Sequence, residues 1–206
     1  HEAARLSLET RGPRRLEIVS LDLRHGASAF RAQGDPDPDI NYDRVSLEAR
    51  QTLDLMPRGG WHLTWRAYAG SAYRRLPREL LFDAAEGSRL DALGSFYLND
   101  GGPLIASGRY LSPGGAGLRG FRGRLALGKR IWGVNLDASV PRLPFGIFAA
   151  LGRVESSGAA AGSARLVGRA LADAGLTYNI GPVRLTAPLW VSFPDADERP
   201  WRFRWL

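Results

Sequence analysis

The sequence has no cysteine. That excludes a disulfide framework and a thiolate metal site, and it leaves the redox compartment open. It has no apolar run of roughly 18 residues, so no transmembrane helix is encoded. Lysine is almost absent: Lys129 is the only one among 28 basic residues. The net charge of +7 is therefore carried by arginine, scattered along the chain rather than gathered in one patch. Scattering argues against a nucleic-acid partner, and an arginine bias of this kind accompanies GC-rich coding. No signal-peptide pattern is found, and the chain opens at His1 without methionine. Such a start is expected of a piece of a longer or processed protein. Its 206 residues suffice for one domain, 1–206, with a sizeable core.

A sustained helical period is also missing. What is present is alternation. Over 43–55, Val45, Leu47, Ala49, Leu53 and Leu55 fall on one face and Arg44, Ser46, Glu48, Arg50, Thr52 and Asp54 on the other. A period of two with one apolar face is a strand pattern. It recurs over 61–73 and over 183–193, where Val183, Leu185, Ala187, Leu189, Val191 and Phe193 share one side. The pattern predicts nine strands, at 3–10, 14–26, 42–55, 61–73, 123–140, 144–154, 166–180, 182–193 and 200–206. Several reach the ~9–11 residues of a tilted membrane-spanning strand, against ~5–6 for a soluble one. Arg78–Ala85 is expected to form one or two helical turns inside a loop.

Connection lengths carry a second signal. Gly12-Pro13, Pro57–Gly60, Pro141–Pro144 and Gly181-Pro182 are short; 27–41, 74–122, Glu155–Arg165 and Pro194–Pro200 are longer, and the two kinds alternate without exception. Outer-membrane barrels show this rhythm because antiparallel strands place successive loops on opposite sides. The expectation is an all-β fold, an antiparallel transmembrane β-barrel fragment of about nine meandering strands in an open curved sheet. Its apolar face would meet lipid and its charged face would line a lumen. Val45, Leu47, Leu63, Trp65, Leu185, Leu189, Phe203 and Trp205 are expected outside, and Arg44, Glu48, Arg66, Asp137, Arg184 and Arg204 inside. A soluble β-sandwich that binds ligands also alternates and stands as the rival of a different class.

Within the longest loop lies Gly114-Gly115-Ala116-Gly117-Leu118-Arg119-Gly120-Phe121. It precedes the fifth-from-last expected strand. Leu118, Arg119, Gly120 and Phe121 resemble the (V/L/I)-R-G-(F/Y) loop of the BamA-type outer-membrane assembly superfamily, also called the bacterial surface antigen family. Asp137–Pro141 is similar to that family's acidic-x-x-x-Pro strand ending. Gly175, Gly181-Pro182 and Ala187-Pro188-Leu189 resemble its G…GP…A-P-L run, and Trp201–Leu206 the start of its closing strand. The resemblance covers about 114–206, and residues 1–113 fit only as generic barrel strands. Ala150 stands where the family has an aspartate, the final strand is short, and no POTRA modules are present.

The resemblance implies the last nine strands of a sixteen-stranded barrel in the bacterial outer membrane. Its work would be to insert proteins into that membrane or move them across it. It implies no catalytic residue and no cofactor. The implied partners are outer-membrane lipid, the missing strands of the same barrel and unfolded client proteins. Alternatively, the barrel would anchor or export a fused metalloprotease or lipase. An arginine between glycines can fold into the lumen, where its guanidinium needs an anionic partner. Asp137 is the first candidate by resemblance and Asp173 the second.

Other chemistry is thin. His1, His25 and His62 lack metal-ligand spacing, and Asp35, Asp37 and Asp39 are interleaved with prolines, as in a stiff external loop. Ser156, Ser157 and Ser163 have no supporting base nearby in sequence, and Gly114–Gly120 lacks the Lys-Ser/Thr of a phosphate loop.

Overall fold

The computed structural model describes residues 2–12, 15–28, 40–55, 60–76, 81–85, 115–121, 126–139, 143–155, 166–180, 183–194 and 199–201. Eight strands form one antiparallel meander: β1 (Glu2–Gly12), β2 (Arg15–Ser28), β3 (Ile40–Asp54), β4 (His62–Arg75), β7 (Arg130–Ser139), β8 (Phe145–Glu155), β9 (Ala170–Ile180) and β10 (Val183–Val191). Each strand pairs with its neighbour in the order β1-β2-β3-β4-β7-β8-β9-β10, and the sheet is open. Between β4 and β7 the chain makes a second, two-stranded sheet from β5 (Phe82–Asp83) and β6 (Leu127–Gly128).

The all-β, open antiparallel expectation holds, with local corrections. The strand expected over 123–140 is two elements: 127–128 pairs with 82–83, and only 130–139 joins the main sheet. At the break, the Lys129 amide donates to the Glu155 carbonyl, so the chain steps over the rim of β8. The helical turn expected at 78–85 is absent over 81–85, where bends flank β5. Residues 166–169 form a turn with Gly168 at φ 80°, so β9 begins only at Ala170. Of the ninth expected strand, Trp201 makes a single antiparallel bridge to Trp190, and 202–206, with Phe203, Arg204 and Trp205, lie outside the described residues.

Cross-strand partners share a face, so the register assigns the two sides. Leu47, Leu21 and Leu6 are successive partners, as are Trp65 and Leu136, and Ile147 and Leu176. This face is open: Leu47 is 48% exposed, Val134 41% and Ile147 52%. On the opposite face, Arg44 and Arg66 are buried, and so are Asn135 and Asp173. Val45, Leu63 and Leu185 share the leucine face, and Arg44, Glu48, Arg66 and Asp137 the polar one. The apolar core lies between the polar face of the main sheet and the minor sheet and loop segment laid over it, built on Phe82, Leu118, Phe121, Val154, Leu171 and Val191.

The face assignments of Val191 and Phe193 change. The register shifts between Pro188 and Trp190, leaving Leu189 unpaired. Proline has no amide hydrogen for the ladder, and a bulge is where a sheet tolerates it. The extra residue flips the parity, so Val191, expected beside Leu185, is fully buried under the loop. The side chain of Arg184 lies outside the described residues.

Candidate functional site

Four strands present the site. Arg66, Asn135, Ala150 and Asp173 are successive partners on β4, β7, β8 and β9. One row nearer the short turns stand Thr64, Asp137, Phe148 and Gly175. Strict alternation turns all eight to the same side. Ala150 stands between Asn135 and Asp173 in the first row.

The segment 115–121 lies across these rows. It is tied first to β5, through a parallel bridge of Gly115 with Asp83 and through the Leu118 amide donating to the Ala84 carbonyl at 2.9 Å. Its carbonyls are then taken up from below. Asn135 Nδ2 donates to the Ala116 and Gly117 carbonyls at 2.9 and 3.2 Å, and Arg66 Nη2 to the Gly115 carbonyl at 3.0 Å. Arg66 Nη1 also donates to Asn135 Oδ1 at 3.1 Å and its Nε to Glu48 Oε1 at 2.9 Å. Arg66 is therefore charge-paired, with each of its three guanidinium nitrogens hydrogen-bonded, in a buried place.

Two glycines make this approach possible. Gly117 has φ 73°, a left-handed conformation that disfavours any side chain, and a Cβ there would meet Asn135 Oδ1 at 2.9 Å. A Cβ on Gly133 would stand 2.6 Å from that of Ala116, so β7 must be bare at that point.

The four loop residues then divide the work. Leu118 and Phe121 are fully buried in the core. Arg119 Nη1 and Nη2 donate to Asp137 Oδ1 and Oδ2 at 2.7 and 2.8 Å, a bidentate fork. Its guanidinium also lies 4.6 Å from the Phe148 ring centre, the residue directly across from Asp137. The Gly120 amide donates to Asp173 Oδ2. Gly120 packs so closely on β10 that a Cβ would sit 2.5 Å from Val191 Cγ1. Leu118, Arg119, Gly120, Phe121, Asp137 and Asp173 are thus brought into one site, with Asp137 taking the guanidinium and Asp173 the backbone.

Glu48 and Arg66 were expected only on the inner charged face and not in this site, and Asn135 and Phe148 were not singled out from the sequence. Their only signal is parity: each stands on the polar side of its own alternating strand. His25 sits on Asp43 at 2.8 Å and His62 on Asp54, and no group of three metal-ligating residues occurs among the described residues. His1, Asp35, Asp37, Asp39, Gly114, Ser156, Ser157 and Ser163 lie outside them.

No model of a known protein family matches this chain, and no curated protein matches it significantly.

The fork leads to a testable coupling. The Arg119 and Asp137 side chains are only 14% and 17% exposed, so each stabilises the other's charge in partial shelter from water. A double-mutant cycle of Arg119→Ala and Asp137→Ala, read by denaturant unfolding, is expected to give a coupling of about 1.5–3 kcal/mol. Additive single effects would mean that the pair does not hold the loop.

Proposed function

We propose that this chain is the carboxy-terminal part of a bacterial outer-membrane β-barrel of the surface-antigen, assembly-factor type, which inserts proteins into the outer membrane or moves them across it. The observation that carries this reading is the inverted sheet. Leucines and valines stand open on one face, while paired charges lie beneath a loop on the other. A soluble sheet buries its leucines and exposes its charges; a lipid-facing barrel wall does the reverse.

The edge of the apolar face adds support. At the long-connection end its first polar residues are the partners His25 and Asp43 on β2 and β3, then the partners Ser71 and Arg130 on β4 and β7, then Arg153 on β8. In register, Ser71 lies two residues below the row of Asp43 and Tyr73, and Arg153 pairs with Trp132, two residues below Arg130. At about 3.3 Å per residue and 4.8 Å per strand, four residues over four strand steps is a slope of roughly 35°. Transmembrane strands tilt by about 35–45°, so a membrane surface would cut the sheet along such a slant. Aromatic residues stand near both ends of the same face, with Phe145 against Tyr178 at the short turns and Trp132 near the long connections.

For the assembly role, the support is that the loop resembling the family motif is joined to β7 and β9 and packs on β10. Its position is therefore coupled to the last long strand of the sheet. A client strand would be templated at a weakly paired edge there, by backbone hydrogen bonding.

Two measurements test this. Val134 is exposed at the middle of the apolar run of β7. Val134→Arg should cost about 2–4 kcal/mol in bilayer-refolded protein if that position is near the membrane midplane. In a soluble sheet the same exposed change stays within roughly 0.5 kcal/mol. For the assembly role, Arg119→Ala in proteoliposomes should lower protease-protected insertion of an unfolded barrel client more than it lowers the amount of folded protein. Unchanged client insertion would remove the assembly reading and leave a membrane anchor.

A further inference from the structure

The apolar face does not end in the same way at its two rims. At the short-turn end of β7, β8 and β9 its residues are Leu136, Ala138, Phe145, Ile147, Leu176 and Tyr178, with no charge among them. At the other end of the same strands stand Lys129, Arg130, Arg153 and Arg169, with Glu155 as the acid between them.

Register and hydrogen bonds place these residues on one rim. Arg130 is the cross-strand partner of Glu155, and Arg153 of Trp132. Arg153 Nε lies 3.0 Å from Glu155 Oε1, and both side chains remain more than 40% exposed. The Lys129 amide donates to the Glu155 carbonyl, and its Nζ donates to the Arg74 carbonyl at 2.7 Å, so the chain's only lysine is held at the rim. The Gly168 amide donates to the Val154 carbonyl, which brings exposed Arg169 to the same end. Among the described residues at this end one carboxylate stands among four cations, with Arg169 resting 5.1 Å from the Phe193 ring centre, and this leaves a positive excess beside the partly exposed indole of Trp132.

The geometry points to a binding surface for anionic, phosphate-bearing lipid headgroups along this rim, and hence to a preference for one leaflet. The inference rests on the membrane reading above. The occupant follows from charge complementarity and from position: the cations stand just past the apolar band, at the depth of headgroups. Arginine suits the task because its planar fork matches phosphate oxygens in pairs. Tryptophan settles at the same depth, with its ring against acyl chains and its N–H toward the headgroups. Among the described residues of these three strands, the apolar face at the opposite end carries no charge to match.

The test uses the complete protein that carries this chain, reconstituted in phosphatidylcholine vesicles and in vesicles also containing phosphatidylglycerol. Flotation reports membrane association, and native mass spectrometry from mixed micelles reports which lipid is retained. Phosphatidylglycerol should be retained over phosphatidylcholine. In Arg130→Gln/Arg153→Gln that preference should fall by about fivefold for each charge removed at low salt. Arg50→Gln, on the opposite face, should leave it unchanged, and thermal unfolding of all variants shows whether they are folded. If the double variant does not fold, the single changes Arg130→Gln and Arg153→Gln carry the same comparison. Flotation without a phosphatidylglycerol preference, or a preference that survives the substitutions, would overturn the lipid surface alone. Displacement of the lipid by equimolar inorganic phosphate would overturn it in favour of a soluble anion. Failure to float with any vesicle would overturn the membrane reading, and this inference with it.

Discussion

A guanidinium removed from water must be given a partner for its charge, an acid or an aromatic face, and much of this structure follows from that constraint. Arg66 is buried under residues 115–117 and is held by Glu48, Asn135 and the Gly115 carbonyl. Arg119 comes down from the loop and is received by both oxygens of Asp137. Arg44 lies 3.8 Å from the Phe82 ring centre, so its charge rests on an aromatic face from the β5 segment. These arginines reach across three layers of chain: strand, loop and minor sheet. Removing one partner would leave a charge in a low-dielectric place, which costs far more than losing an exposed ion pair.

The same constraint explains which side of the sheet is covered. Apolar alternation alone would let either face be the inside. The polar face becomes the inside because the loop's leucine and phenylalanine bury themselves against it, between the arginines. Leu118 and Phe121 are fully buried there, while Leu47 and Ile147 on the other face remain open. On the proposed reading the open apolar face meets lipid, and the slanted polar boundary marks the surface of that lipid.

Much of this was legible in the strand pattern. Alternation in 43–55 and 61–73 is strong enough for β3 and β4 and their faces to be read directly, although Asp43, Gln51 and Ser71 interrupt the apolar side and Tyr68 and Ala72 the polar one. Parity failed at Pro188: a bulge needs one extra residue, and nothing in the composition of 183–193 announces it except the proline itself. The β5–β6 pair was not legible, since two-residue strands have no period. Residues 78–85, with leucine, phenylalanine and alanine, favour a helix locally; the pairing of Phe82 with Gly128 overrides that preference from 46 positions away. In the site, Leu118 to Phe121, Asp137 and Asp173 were reached through the motif. Arg66 and Asn135 were not, because no local spacing links residues 69 positions apart, and only the sheet register brings them together.

The central claim is that one face of β7 and β8 meets lipid along a slanted boundary while the other meets the loop. Because the chain has no cysteine, single cysteines can be placed along both strands and labelled with nitroxides in bilayer-reconstituted protein. Collision with oxygen against a water-soluble nickel complex then reports depth at each position. Positions 134, 136 and 138 on β7 and 147, 149 and 151 on β8 should favour oxygen, alternating with shielded neighbours. Access to the nickel complex should begin at 130 on β7 but already at 153 on β8, the partner of 132. Nickel access at all outward positions, or a boundary along a single register row, would contradict the account.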